Sequence, residues 1–438
     1  MFLDIFYLTR LTPILKKIYI KKAQGIKKHT SHSTLAAQGE VNPQGLKNLG
    51  ACCSISKYQP TQNMSKKRPT TTSSSKSKSK KKSKLNPNRA QIHIKIDPSK
   101  VDKSRVRHLS GPTTPSTAGE CVLYWMSRDQ RMNDNWALLY AQERAIELNL
   151  PFAVVFSVVP SFLQATIRQF KFMLRGLAEV EASLTAIGIP FFLLSGHPTQ
   201  TIPAFVTQTK PALLVTDFSP LRVGREWKES VGALIPAVQM EEVDAHNVVP
   251  VWQASDKIEY AARTIRPKIN KQLDRYLREF PSIVSPHPYA WNGVHPKELL
   301  STASTASATS SSSSSSSTAS TASTSSSSSS SKLQHNTCID WEAVDRSLQV
   351  NRTVPEVTWI IPGETAARNG LNEFLTSRFQ LYKKRNDPTI NGCSNLSPWL
   401  HFGQISAQRC ALEAKKSSSY DGGRDSFLEE LIIRREVS

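Results

Sequence analysis

Cysteine is sparse in this chain of 438 residues: there are six, only Cys52 and Cys53 are neighbours, and no CxxC pair or Cys/His ligand set occurs. That spacing argues against structural zinc and against a disulfide framework, and it suits a reduced intracellular compartment. Long hydrophobic runs are missing as well. No stretch approaches the ~20 uninterrupted apolar residues a membrane span requires, which argues against an integral membrane protein. No Gly-x-Gly-x-x-Gly follows the first apolar run, so the standard dinucleotide fingerprint is absent. Acidic residues are scarce at the start: positions 1–107 hold 24 Lys+Arg against 4 Asp+Glu, which is +20 of the total net charge of +21. The basic character therefore belongs to an arm, and the remainder is close to neutral.

That arm includes Lys66-Lys67-Arg68 and the run from Lys76 to Lys84, spaced by Ser, Thr and Pro with little apolar surface. Residues 1–118 are expected to be a disordered basic extension, and 1–107 to be removable without loss of fold. Such a run reads equally as a nuclear-import or nucleic-acid-contacting arm and as a solubilising tail. The acid-poor, weakly amphipathic first ten residues followed by paired lysines also read like an organelle transit peptide. Nucleus is the expected location, with mitochondrion or chloroplast as the alternative.

What is present begins near residue 119. The short apolar runs 121–126, 152–158, 189–194 and 212–216, with a weaker fifth at 237–240, suit strands buried on both faces of a parallel sheet. Helical patterns lie between them: one over 135–149, and another in which Phe170, Met173, Leu174, Leu177 and Leu184 share one face. The alternation predicts a doubly wound α/β domain over 119–250 with a parallel five-stranded sheet. Its ligand crevice would lie near Ser127-Arg128-Asp129, Asp217 and Asp244-Ala245-His246-Asn247, although those residues serve equally well as turn caps and loop hydrogen-bond partners.

Residues 251–300 read as a connector, helical but broken by Pro267, Pro281, Pro286 and Pro288. Residues 301–331, almost pure Ser, Thr and Ala, read as a flexible insertion. Over 332–438 the pattern is helical again, with Leu371, Phe374, Leu375, Phe379 and Tyr382 forming an apolar stripe on a helix that ends near Asp387-Pro388. Trp341, Trp359 and Trp399 read as core or interface residues.

The most informative run is 392–406, Gly392-Cys393-Ser394-Asn395-Leu396-Ser397-Pro398-Trp399 and onward. Glycine and small hydroxyl residues open onto a segment that proline can start as a helix, so Ser394, Ser397 and free backbone N–H groups can converge on an anion; a capped surface helix uses the same residues. With Arg385-Asn386-Asp387-Pro388 before it and Glu429-Glu430-Leu431-Ile432-Ile433-Arg434-Arg435-Glu436 after it, the run resembles the flavin-domain signature of class II DNA photolyases, which use light to split cyclobutane pyrimidine dimers. The segments 125–131 and 244–250 resemble the same family.

The resemblance implies an antenna-type α/β domain, whose chromophore the residues do not specify, followed by an all-helical FAD-binding domain. Tyr382, Ser394, Leu396 and Ser397 fall where the family holds the FAD phosphates and ribityl chain, and Cys393 stands where many relatives have Thr. Arg385 falls where an arginine meets the backbone of the damaged DNA, and Glu430 where a carboxyl faces the dimer. By residue chemistry alone, Arg385 could be a charge partner for a helix C-terminus and Glu430 half of an i,i+4 pair with Arg434. The expected partner is DNA containing pyrimidine dimers, with no metal and a monomeric protein. Because relatives continue well past the position of Ser438, the FAD-binding domain is expected to be incomplete and flavin binding weakened. A cryptochrome-type photoreceptor and a remnant with weak nucleic-acid binding are the alternatives.

Overall fold

Two strands, β2 (Cys121–Met126) and β5 (Pro211–Asp217), are buried at every residue. They sit side by side at the centre of a sheet in the order β1-β6-β5-β2-β3-β4, with β1 Val106–Ser110, β3 Phe152–Val158, β4 Phe191–Ser195 and β6 Gln239–Val243. All neighbours run parallel except β1, which pairs antiparallel with β6. This is a computed structural model, and it describes residues 97, 99–293, 339–417 and 423–435. All of these fall in one compact unit, Lys95–Ser438.

Alternation along β2 explains why its apolar run is continuous. Val122, Tyr124 and Met126 pack on one face, against helices α1 (Trp136–Leu148) and α2 (Ile167–Ala186). Cys121, Leu123 and Trp125 pack on the other, against α3 (Pro198–Thr209) and α4 (Arg222–Leu234). A strand with helices on both sides has no polar face to show. The predicted helix over 135–149 is α1, whose N-cap Asn135 accepts from the N–H groups of Ala137 and Leu138 and whose C-cap Asn149 is left-handed at φ 59°.

The sheet has six strands where five were expected, and the additional one corrects the reading of 1–118. Residues 106–110 form β1. Just before it, Arg105 is 1% exposed and donates to the carbonyls of Asp244, Asn247 and Val248 at 2.7–3.1 Å and to Gln408 Oε1 at 3.2 Å. Its guanidinium also lies over the rings of Trp136 and Tyr276. A positively charged sequence hid this, because an arginine that serves as a hydrogen-bond hub has the same letter as any other arginine of a basic arm. The lysine runs of the arm and the 301–331 insertion lie outside the described residues.

The second layer is helical. It starts with α5 (Val251–Ala254), α6 (Ala262–Asn270) and α7 (Leu273–Tyr276), and Pro267 lies inside α6 instead of breaking it. Pro267 and Arg263, whose carbonyl it leaves without a helical donor, are both exposed, so water can satisfy that carbonyl. After α8 (Trp341–Ser347) and α9 (Glu364–Glu373), the chain makes a π-type turn at Phe374–Arg378 and a 3-10 turn at Phe379–Lys384. Next come α10 (Ser397–His401), α11 (Ala407–Lys416), α12 (Gly423–Leu428) and a second π-type turn, Glu429–Arg434.

The predicted stripe 371–382 is buried except for the partly exposed Leu375, but not on one α-helix. Five residues separate Phe374 from Phe379, about 500° of regular helix, which would turn Phe379 away. The wider π turn absorbs the extra residue and leaves the two rings 5.5 Å apart, with Phe427 completing the cluster. Helix α2 serves both layers, burying Leu174 and Leu177 under the sheet and Phe172 in the helical core.

Candidate functional site

The 3-10 turn Phe379–Lys384 is the floor of the site, because the run from Gly392 folds back onto it. A Cβ at Gly392 would lie 2.5 Å from the carbonyl oxygen of Leu381, so only glycine permits this approach. The Cys393 thiol is turned inward to the Arg385 carbonyl at 3.8 Å, away from the outer face of the run. Asn395 takes the left-handed conformation, φ 60°, which reverses the chain into α10. Ser394 is half-buried and Ser397, the first residue of α10, is exposed. Leu396 is fully buried in the helical core, so any contact it makes with a ligand comes from its main chain.

Tyr382 is buried, in edge contact with Phe374 and Phe427, and the Arg385 guanidinium lies 4.6 Å over its ring. Arg385 Nη2 donates to Glu430 Oε1 at 2.6 Å. Residues 45 positions apart in sequence are thus joined, and the i,i+4 pairing of Glu430 with Arg434 is replaced: Arg434 lies 3.8 Å from Glu429, which is held chiefly by Arg266 of α6. Nothing in the local pattern announced the Arg266–Glu429 and Arg385–Glu430 pairs, since both depend on how the second π turn packs.

The residues assigned to FAD fit such a group by their donor chemistry. Two hydroxyls, Ser394 and Ser397, stand on an accessible turn that leads into a proline-started helix, and hydroxyls and turn N–H groups are what phosphate oxygens require. The inward thiol of Cys393 adds no donor to that set.

At the strand ends Asp217 and Asp244 serve as hydrogen-bond partners of loops, one of the two roles their positions allowed. The Asp217 carboxylate accepts from the Tyr124 hydroxyl at 2.6 Å and from the N–H groups of Ser127, Arg128 and Asp129 at 2.8–3.1 Å. Asp244 likewise accepts from the N–H groups of His246, Asn247 and Val251. Both fasten loops. Burial and the charge of Asp129 raise Asp217 above the usual carboxylate range. Burial acts on Asp129 in the same direction, but the Arg131 guanidinium at 2.7 Å overcomes it and holds Asp129 low.

Arg131 also donates to the Gly403 carbonyl at 2.8 Å, and Asp134 accepts from Arg368 and Arg409, so these loops tie the sheet to the helical layer. A Cβ at Gly403 would lie 2.2 Å from the Arg128 carbonyl oxygen, which shows how closely the layers meet. His246, enclosed by Arg128, Arg435 and Asp129, has its pKa held well below the ordinary value by burial first and then by the two arginines; it is neutral at physiological pH. Of the three tryptophans, Trp399 is buried and Trp341 donates to Glu181, whereas Trp359 is 78% exposed and is not part of the core. Among the described residues there is no helix long and apolar enough to cross a membrane, and no cluster suited to a metal ion.

A doubly wound sheet joined to a helical layer is the architecture shared by photolyases and cryptochromes. The crystal structure of a Synechocystis cryptochrome superposes with a TM-score of 0.51 at 16% identity, over 72% of this chain and 60% of that one, a likeness of fold. Residues 122–287 match the DNA photolyase family. The deoxyribodipyrimidine photo-lyase of Arabidopsis thaliana is 44% identical over 326 residues, 72% of this chain and 58% of that protein. The enzyme of the same name from Potorous tridactylus is 40% identical over 342 residues, 77% of this chain and 56% of that protein. The chain belongs to the DNA photolyase family, and it spans less than three fifths of the length of these two relatives.

Proposed function

We propose that this chain takes part in light-driven repair of cyclobutane pyrimidine dimers in DNA, as a class II photolyase with FAD as its cofactor. The observation that carries this reading is the convergence of Arg385 and Glu430 beside the Ser394–Ser397 turn, in a chain 44% identical to a deoxyribodipyrimidine photo-lyase. When bound, reduced FAD would supply the excited electron that opens the cyclobutane ring. Ser394 and Ser397 would hold the phosphates of that group, with Tyr382 and the main chain of Leu396 beside them, and Arg385 would take a phosphate of the damaged strand. Glu430 faces the dimer, where a carboxyl able to donate a hydrogen bond would stabilise negative charge arriving on a base carbonyl. The dimer must leave the duplex to reach such a site, and its poor stacking lowers that cost.

The basic arm supports a nuclear location and a loose, nonspecific hold on DNA. The reading is tested by purifying the protein, recording flavin absorbance, and following dimers in an oligonucleotide under illumination and in darkness. Loss of dimers only in the light is expected. Stoichiometric flavin with no light-dependent loss would instead favour a photosensory role.

A further inference from the structure

Arg385 and Glu430 are each assigned a partner on DNA, yet each is occupied by the other. Arg385 Nη2 is bonded to Glu430 Oε1 at 2.6 Å and the guanidinium plane rests on Tyr382. So placed, Arg385 cannot offer its full donor fork to a phosphate, and a carboxylate accepting from a guanidinium has no hydrogen to donate to a base. We propose that the pair is a latch opened by the DNA backbone: a phosphate draws Arg385 off Glu430, and only then is the Glu430 carboxyl free for the dimer.

The proposal rests on reading this site as the one that meets damaged DNA. The exchange replaces one anion on the guanidinium by another, and the Glu430 carboxylate it releases takes a proton from solvent before it can donate to a base. The exchange is local. The main chain of Arg385 is held by its N–H to the Tyr382 carbonyl at 3.1 Å and by the Cys393 thiol on its own carbonyl, so the side chain alone has to swing. Both side chains are partly accessible, 18% and 35%, which lets a phosphate approach without unfolding the turn. In the closed state the pair presents a neutral surface to undamaged DNA, and the cation is delivered where a strand fits the site.

The test is a double-mutant cycle on binding of this chain to a short oligothymidylate with one cyclobutane dimer and to its undamaged counterpart, read by fluorescence anisotropy at fixed ionic strength. Glu430→Gln removes the competitor for Arg385 and should tighten binding of the dimer-containing strand roughly five- to tenfold. In the Arg385→Gln background the same change should do nothing. A gain that persists there would mean simple repulsion by Glu430 and would overturn the latch. If Glu430→Gln does not tighten binding while Arg385→Gln weakens it, the latch falls and the DNA site stands. If neither variant alters binding of the dimer-containing strand relative to the undamaged one, the reading of the site falls with the latch. Should Arg385→Gln fail to fold, Arg385→Lys keeps the charge but loses the planar fork, and the gain from Glu430→Gln should shrink in that background; an equal gain would count against the proposal.

Discussion

On the proposed function, single side chains divide the site into a cofactor half and a DNA half, and substitutions can be read against that division. Ser397→Ala removes an exposed hydroxyl from the turn, so flavin retention should weaken by ~1–3 kcal/mol if the hydroxyl bonds a charged phosphate. Equal flavin occupancy in variant and parent, measured by absorbance after gel filtration, would contradict the assignment. Glu430→Ala should leave flavin content unchanged and lower the number of dimers split per absorbed photon; an unchanged yield would return Glu430 to the role of partner to Arg385 alone. His246 carries a pH dependence whose sign follows from its environment. Neutral in the folded protein but free to protonate in the unfolded chain, it costs stability as pH falls through the ordinary histidine value of 6.5, and costs nothing well above it. His246→Gln should therefore flatten the decline of thermal midpoint between about pH 7 and about pH 5 relative to the parent; parallel curves would show that the histidine does not contribute.

Among the elements, strands and helices were legible where burial is repetitive. The apolar runs of β2 to β5 and the stripe of α2 follow from packing on flat, extended faces, which leaves a local period in the sequence. Three elements left no such period. β1 is an edge strand, Val-Arg-His-Leu-Ser, whose place depends on pairing with β6 more than 130 residues later. The two π turns are insertions in a helical register, visible only once Phe374, Phe379 and Phe427 are seen to share a cluster. The same limit applies to the site: Ser394, Ser397 and Gly392 form a contiguous run, whereas the Arg385–Glu430 pair and the Arg131–Gly403 hydrogen bond are made by tertiary folding. These elements give two deletions opposite outcomes. Removing 1–94 should leave the thermal midpoint nearly unchanged, while removing 1–107 takes away Arg105 and the first two strand residues, Val106 and Arg107, and should lower it sharply. Equal midpoints for the two deletions would mean that Arg105 and β1 are dispensable.

For the whole molecule, charge is segregated: 20 of the 21 net positive charges belong to residues 1–107, and the remainder is nearly neutral. On the proposed function, long-range attraction to DNA resides in the arm and discrimination in the site. Deleting 1–94 should reduce the dependence of nonspecific DNA binding on salt, by ~0.9 in the log–log slope for each phosphate that a lysine of the arm neutralises. An unchanged slope would mean that the arm does not touch DNA. Light-driven repair itself is tested most directly by an action spectrum, the rate of dimer loss at a series of wavelengths with DNA and reduced flavin both bound. Repair that follows the absorption of the reduced flavin and stops in darkness is the expected result. Dimer loss that proceeds equally in the dark, or none at any wavelength the flavin absorbs, would contradict it.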